Sequence, residues 1–117
     1  MTARLGHVVR IERTFAAPAE DVFDAWTSPE VMRRPDGTEV EARGEYTLID
    51  RPHRLAMTWT FDDEPSNEQL IELSFSESAA STTVLLVNSR ISTDARRDAQ
   101  DWGWHGCFDQ LERVLAC

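Results

Sequence analysis

Residues 82–115 read TTVLLVNSRISTDARRDAQDWGWHGCFDQLERVL, and the spacing of their apolar side chains changes part of the way along. The residues from Val84 to Val87 are all apolar, as in a central strand that is covered on both faces. Further on, apolar residues recur at intervals of four, three and four positions, which is the spacing of one helical face. These residues are Trp104, Phe108, Leu111 and Leu115. The stretch predicts a buried strand and then a helix of about twenty residues (~30 Å), capped by Thr93 or Asp94.

Segments upstream alternate between apolar and polar residues, as half-buried strands do. They are His7–Phe15, Thr38–Ile49, Leu55–Phe61 and Ile71–Phe75. Two short helices are predicted after the first strand, one beginning at Pro18 and one running from Ser28 to Arg34. Short turns join the later strands, so these strands pair antiparallel. The sequence therefore predicts a single α+β domain over residues 1–117, with about five antiparallel strands covered by the long helix.

The composition excludes several classes of function. The chain has 117 residues and a formal net charge of −9, and its twelve basic residues are all arginine. The lack of lysine excludes a Schiff-base lysine and a phosphate-loop lysine. Because phosphate binding depends on a net basic face, we expect no nucleic-acid partner. An apolar content of 41% is sufficient for a packed core and is too high for a disordered chain.

The cysteine and histidine patterns predict a reduced protein without a metal. Cys107 and Cys117 are the only cysteines, which is neither a disulfide framework nor a zinc-binding spacing. The three histidines, His7, His53 and His105, are scattered along the chain, so we expect no metal and no cofactor. The N-terminal stretch lacks the apolar core of a signal peptide, and no apolar run is long enough to span a membrane. We therefore expect a cytoplasmic location and no membrane partner.

A series of short motifs along nearly the whole chain resembles one known superfamily. They read IERTFAAPAEDVFDAWT at residues 11–27, PE at 29–30, PDG at 35–37, GEY at 44–46, IDRPHRL at 49–55, TW at 58–59, GW at 103–104 and FDQL at 108–111. In these motifs the chain is similar to the START-like (SRPBCC, Bet v-like) helix-grip superfamily, and within it to bacterial proteins resembling the activator of heat-shock protein 90 ATPase. The resemblance implies a curved antiparallel sheet that grips the C-terminal helix. It also implies a cavity between them that often takes a hydrophobic ligand.

The sequence departs from this family's pattern at three places. About two strands, roughly 20 residues, are absent between Arg34 and Pro35, where family members have a glycine-rich hairpin. Leu48 stands where the family often has glutamate, and Asn88 stands where it often has histidine. Neither side chain titrates, so the sequence favours a non-enzymatic domain that is ligand-binding or stress-associated. An enzyme of cyclase or hydrolase type remains an alternative, because some START-like relatives are such enzymes.

Residues at strand or helix spacing could line such a cavity, whose walls are mostly apolar. They are Tyr46, Leu48, Met57, Trp59, Leu73, Asn88, Trp104 and Phe108. The same spacing is typical of a filled core, and both interpretations stay open from the sequence. Tyr46 is the most informative residue, because a buried phenol needs a hydrogen-bond partner that a ligand could supply. The ligand is expected to be a small apolar or aromatic molecule, since a shortened domain encloses less space.

Two kinds of protein partner are also consistent with the sequence. A protein–protein module resembling the chaperone activator would present its acidic surface to Arg- or Lys-rich partners. The strand from Thr38 to Ile49 carries charged residues on one face, as exposed edge strands do. If the two missing strands leave this edge uncovered, two copies of the chain could meet there in a homodimer.

Overall fold

The structure, a computed structural model, describes residues 7–27 and 42–116. Its strands are β1 (His7–Phe15), β2 (Ala42–Arg43), β3 (Tyr46–Asp50), β4 (Arg54–Phe61), β5 (Gln69–Ser78) and β6 (Ser81–Ile91). Its helices are α1 (Ala19–Trp26) and α2 (Asp94–Ala116). This architecture confirms the predicted α+β helix-grip class. The predicted helix from Ser28 to Arg34 and the predicted loss of two strands after Arg34 lie outside the described residues.

All the strand pairings are antiparallel, in the order β1, β6, β5, β4, and both β2 and β3 pair with the far side of β4. β6 is a central strand, as its apolar run predicts. Val84 and Leu86 on its inner face are fully buried, whereas Leu85 and Val87 on its outer face are half-buried. The prediction that both faces are covered therefore holds only for the inner face, on which α2 packs.

Residues directly opposite each other in antiparallel strands point to the same face of the sheet. On the inner face, one row consists of Val9, Asn88, Ile71 and Met57, and Tyr46 extends it onto β3. A second row consists of Ile11, Leu86, Leu73 and Leu55, and Ile49 extends it onto β3. The first four members of each row are buried, but Tyr46 is 55% exposed and Ile49 is 63% exposed. We call Tyr46 and Ile49 the open end of the inner face.

A register shift within β3 reverses the predicted facing of Leu48. Tyr46 lies opposite Met57, but Leu48 lies opposite Ala56, so one extra residue, Thr47, is accommodated between them. Such a bulge moves the side chains that follow it to the other face. Leu48 consequently lies on the outer face and is 36% exposed, which corrects its predicted place beside Tyr46 in a cavity wall.

Helix α2 is held across the inner face by contacts at both ends. Thr93 caps it as predicted, since its Oγ1 accepts a hydrogen bond from the Arg96 N–H at 3.1 Å. The Nε of Arg97 donates to the backbone oxygen of Val8 on β1 at 2.9 Å. Further along, Phe108 and Leu111 are fully buried against the sheet. The helical stripe read from the sequence is therefore the face that covers the core.

Helix α1 is fixed beside α2 by charged groups from the sheet. The Ala19 N–H at its first turn donates to the Glu77 carboxylate of β5 at 2.7 Å, where the helix dipole favours a negative charge. Asp24 accepts two hydrogen bonds from the Arg51 guanidinium, at 2.9 and 2.8 Å, and these hold the pKa of Asp24 below its usual value. The last residue of the helix, Trp26, is 1% exposed. These contacts place its indole ring among the aromatic residues of the core.

Candidate functional site

Six aromatic rings contact one another in series between the sheet and the helices, and we call them the aromatic row. They are Phe15, Phe108, Trp26, Trp104, Trp59 and Phe61, and the distances between the centroids of successive rings are 6.0, 5.2, 6.1, 6.0 and 6.2 Å. Pairs at such distances contribute to stability beyond the area they bury. The row connects four elements of the fold, namely β1, α1, α2 and β4.

A guanidinium group lies over the ring near each end of the aromatic row. The Arg13 guanidinium carbon is 5.3 Å from the centre of the Phe108 ring, and that of Arg96 is 5.3 Å from the centre of the Phe61 ring. Both cations also bind carboxylates, Arg13 to Asp109 at 2.8 Å and Arg96 to Asp63 at 2.8 Å. The positive charge near the row is therefore placed at its ends and is already paired.

A second group, the polar cluster, consists of the side chains of Gln69, Asn88 and Gln100 with the indole N–H of Trp104. Asn88 Oδ1 accepts from Gln100 Nε2 at 2.6 Å and from Trp104 Nε1 at 2.9 Å. Gln69 Oε1 accepts from Asn88 Nδ2 at 3.1 Å and from Gln100 Nε2 at 2.8 Å, while Gln69 Nε2 donates to Gln100 Oε1 at 3.1 Å. All four residues are buried, so the cluster meets the rule that buried polar groups pair.

The polar cluster determines what Asn88 does in the core. Its amide nitrogen donates to Gln69 Oε1 and to the backbone oxygen of Leu70, and its amide oxygen accepts two hydrogen bonds. Both ends of the amide are engaged by neighbours from β5 and α2. Asn88 therefore ties β5, β6 and α2 together, and its role in lining a cavity stays a prediction.

Two other tryptophans contrast with Trp104. The indole N–H groups of Trp26 and Trp59 are buried and have no hydrogen-bond partner among residues 7–27 and 42–116. Their rings nevertheless lie next to the same ring, since both are about 6 Å from Trp104. An unpaired buried donor costs about 1–3 kcal/mol. These two groups are the part of the core whose hydrogen-bonding capacity is unused.

The predicted wall residues separate into distinct environments. Met57, Leu73, Trp104 and Phe108 are buried, and Trp59 is half-buried. Arg43 of β2 lies opposite Thr60 of β4, and Tyr46 of β3 lies opposite Met57 of β4. Counting along the two strands between these pairs places Gly44 opposite Trp59. A Cβ at Gly44 would overlap the backbone oxygen of Thr58, so this close approach to β4 requires glycine. On the inner face, Trp59 is half-buried, and Tyr46 and Ile49 at the open end are exposed.

Three residues of this region were not predicted from the sequence as site residues, namely Trp26, Gln69 and Gln100. Trp26 was recognisable only as part of an amphipathic helix, since nothing in the sequence reveals that its ring contacts Trp104. Gln69 continues the alternation of Ile71, Leu73 and Phe75, and this spacing could have placed it on the inner face. Gln100 precedes Trp104 by four positions, which is one helical turn. The helical period could therefore have placed Gln100 on the same face of the helix as Trp104.

The titratable side chains of the described residues are spread over the fold. Among residues 7–27 and 42–116, no three His, Cys, Asp or Glu side chains are grouped to hold a metal ion. The one cysteine in that part of the chain, Cys107, is buried, and burial raises the pKa of its thiol to about 12, so it is not a thiolate at neutral pH. His7 and His105 lie beside the exposed carboxylates of Asp94 and Asp101. Of the aromatic row, Trp59 and Phe61 are half-buried, and the other four rings are buried in the packed core.

The comparison with protein families adds a match over most of the chain. The family described as Activator of Hsp90 ATPase homolog 1-like protein matches residues 31–116. A comparison with the curated proteins finds no match.

None of the helices in the described part of the chain is long and apolar enough to cross a membrane.

Several solved structures share the fold at low sequence identity. Protein CV1439 from Chromobacterium violaceum is 16% identical with a TM-score of 0.80, over 92% of this chain and 95% of that one. PFC0360w, an HSP90 activator from Plasmodium falciparum, is 20% identical with a TM-score of 0.80, over 95% of this chain and 97% of that one. DynU16, assigned to the dynemicin biosynthetic locus, is 18% identical with a TM-score of 0.74, over 93% of this chain and 47% of that one. At these identities the likeness shows a common fold.

Proposed function

Because the chain belongs to the family of Activator of Hsp90 ATPase homolog 1-like proteins, we propose that it binds a small apolar or aromatic molecule on the inner face of its sheet, beside Trp59. The open end is the observation that carries this proposal. Two rows of side chains are buried on four strands and become exposed where they reach Tyr46 and Ile49 on β3. An apolar molecule seated there extends the buried surface of both rows.

The surroundings of Trp59 favour binding over catalysis. Gln69, which lies opposite Trp59 on β5, bonds to Gln100 and to Asn88. General acid–base catalysis needs a titratable group of suitable pKa in reach of the substrate, and the polar cluster contains none. A reduced, buried Cys107 also fits the cytoplasmic location that we propose for the protein.

The test uses the bicyclic hydrocarbon tetralin as a probe and follows the amide, indole and methyl signals of the labelled protein by NMR. We expect saturable shifts at Trp59, Tyr46 and Ile49. Trp59→Ala weakens binding about tenfold or more, and Tyr46→Ala weakens it by about threefold, because each removes contact area. Trp102→Ala is the matched control, because Trp102 is 51% exposed on α2 and lies outside the aromatic row. Absence of saturable shifts at these residues up to the solubility limit of tetralin would overturn the proposal.

A second candidate is docking onto a chaperone ATPase, and the outer face of β3 favours it. Leu48 is exposed beside the open end, so this edge presents apolar residues on both of its faces. PFC0360w, which shares the fold, is described as an HSP90 activator. Leu48→Glu separates the two functions, because Leu48 does not share the inner face with Trp59.

The experiment measures retention of a purified Hsp90 by the immobilised chain. We expect Leu48→Glu to abolish retention while leaving the tetralin affinity unchanged. Val114→Glu is the control, because Val114 is exposed to nearly the same extent, at 37% against 36% for Leu48. Equal retention by both variants, or none by the unmodified chain, would remove this candidate.

A homodimer through the same edge remains a proposal, and light scattering tests it by the mass in solution.

A further inference from the structure

We propose that the molecule bound beside Trp59 carries an uncharged oxygen acceptor, such as a ketone oxygen, and that the indole N–H of Trp59 donates a hydrogen bond to it. This inference rests on the proposed ligand site and specifies the chemistry of its occupant. Its basis is the difference between the three neighbouring tryptophans. Trp104 has a partner for its N–H, whereas the N–H groups of Trp26 and Trp59 are buried without one in the described part of the chain.

The neighbouring oxygens of the protein are already engaged. Asn88 Oδ1 and Gln69 Oε1 each accept two hydrogen bonds, which fills the two lone pairs of a carbonyl oxygen. The Gln100 oxygen accepts from Gln69. The polar cluster therefore satisfies itself and Trp104 and offers no acceptor to Trp59, and an oxygen of a molecule bound beside Trp59 would supply one.

The charge distribution favours an uncharged acceptor over a carboxylate. Burying an anion requires a paired cation, since an isolated buried charge is strongly unfavourable. The two guanidinium groups on the aromatic row lie over Phe108 and Phe61, the rings next to Trp26 and Trp59 in the row. They are also held by carboxylates, Arg13 by Asp109, and Arg96 by Asp63 and Glu64. A ketone, amide or ether oxygen accepts from an indole N–H without needing either cation.

The aromatic row sets the shape of the rest of the ligand. Trp59 is tilted by 51° to Trp104 and stands edge-on to Phe61, at 87°. Planar rings bind well on such surfaces by offset stacking and edge contacts. The structure therefore favours a flat ring system that carries a carbonyl group.

The experiment compares 1-tetralone with tetralin, which has the same bicyclic frame with a methylene group in place of the ketone. The indole N–H signals of the four tryptophans are recorded by NMR on the 15N-labelled chain and assigned with single Trp→Phe variants. We expect 1-tetralone, and not tetralin, to move the Trp59 signal downfield. The signals of Trp104, bonded to Asn88, and of Trp102, exposed on α2, serve as internal controls.

Affinities provide the second readout. A site without donors favours tetralin by about tenfold, because the ketone loses its hydration on entering. We expect 1-tetralone to bind at least as tightly as tetralin, and Trp59→Phe to weaken 1-tetralone while leaving tetralin nearly unchanged. Trp102→Phe should alter neither affinity. This comparison does not depend on whether Trp26→Phe folds.

The outcomes separate this inference from the function on which it rests. If both probes bind and neither moves the Trp59 signal downfield, the acceptor inference is wrong and the apolar site stands. Buried water bonded to the Trp59 N–H would give that result and would count against the inference. If neither probe binds, the ligand-binding function itself is wrong.

Discussion

The polar cluster and the open end lie on the same face of one sheet, yet they are built in opposite ways. In the polar cluster, three amides and one indole N–H satisfy one another within the buried core. Towards the open end, the indole N–H of Trp59 has no partner among the described residues, and the side chains of Tyr46 and Ile49 are exposed. The contrast teaches that this core uses its polar side chains to join α2 to the sheet and leaves two indole N–H groups, those of Trp26 and Trp59, outside that network.

The largest expected effect comes from breaking the polar cluster. Asn88→Ala removes an acceptor for Trp104 and Gln100 and a donor to Gln69, so it leaves buried groups unpaired and costs about 3 kcal/mol in the free energy of unfolding. Urea denaturation followed by circular dichroism measures it. Asn67→Ala is the matched control, because the Asn67 side chain donates one exposed hydrogen bond, to the Arg90 oxygen at 3.2 Å. Equal losses in the free energy of unfolding of the two variants would show that the polar cluster contributes no more than one exposed hydrogen bond.

A comparison of two tryptophans sharpens the contrast. Trp104→Phe and Trp59→Phe remove the same atoms, but only Trp104 donates its N–H to a protein oxygen among the described residues. We expect Trp104→Phe to cost about 1 kcal/mol more than Trp59→Phe, which is the net worth of a typical hydrogen bond. Both free energies come from the same denaturation experiment. A larger loss at Trp59 would mean that its N–H has a partner in the folded chain.

The buried thiol of Cys107 makes the free energy of unfolding depend on pH. Its pKa is raised from 9.0 to about 12 by burial, so the folded chain keeps a proton that the unfolded chain releases above pH 9. The stabilisation is therefore complete below about pH 9 and is lost as the pH rises from about 9 to about 12. Between pH 8 and pH 10 we expect a loss of about 1 kcal/mol that Cys107→Ala abolishes. An identical pH dependence in both proteins would show that the thiol ionises equally in the two states.

The smallest expected effect on stability lies at the open end. Tyr46→Ala and Ile49→Ser change exposed side chains, so each should alter the free energy of unfolding by less than about 0.5 kcal/mol. Thermal denaturation measures this. A loss above about 2 kcal/mol for either variant would show that the side chain is packed in the folded protein and that the inner face is closed there.

The sequence predicted the parts of this arrangement that follow from periodicity. The alternation of Leu55, Met57 and Trp59 and the stripe from Trp104 to Phe108 identified the two surfaces that meet in the core. The facing of Leu48 could not be predicted in this way, because a one-residue bulge at Thr47 leaves the composition of the strand unchanged and reverses its side chains. The unpaired N–H groups of Trp26 and Trp59 could not be predicted either, since pairing depends on contacts between distant elements.

The position of β1 beside β6 has a consequence for how the chain folds. The side chains of Thr14 and Thr83 bond across these strands although they are 69 positions apart in sequence, whereas β5 and β6 are adjoining arms of one hairpin. Closing so long a loop carries an entropic penalty before its contacts form, which slows the folding of sheets with non-local pairing. The hairpin can assemble from local contacts alone. We therefore expect the β5–β6 hairpin to form before β1 pairs with it, which would leave one edge of β6 open to other chains until β1 arrives.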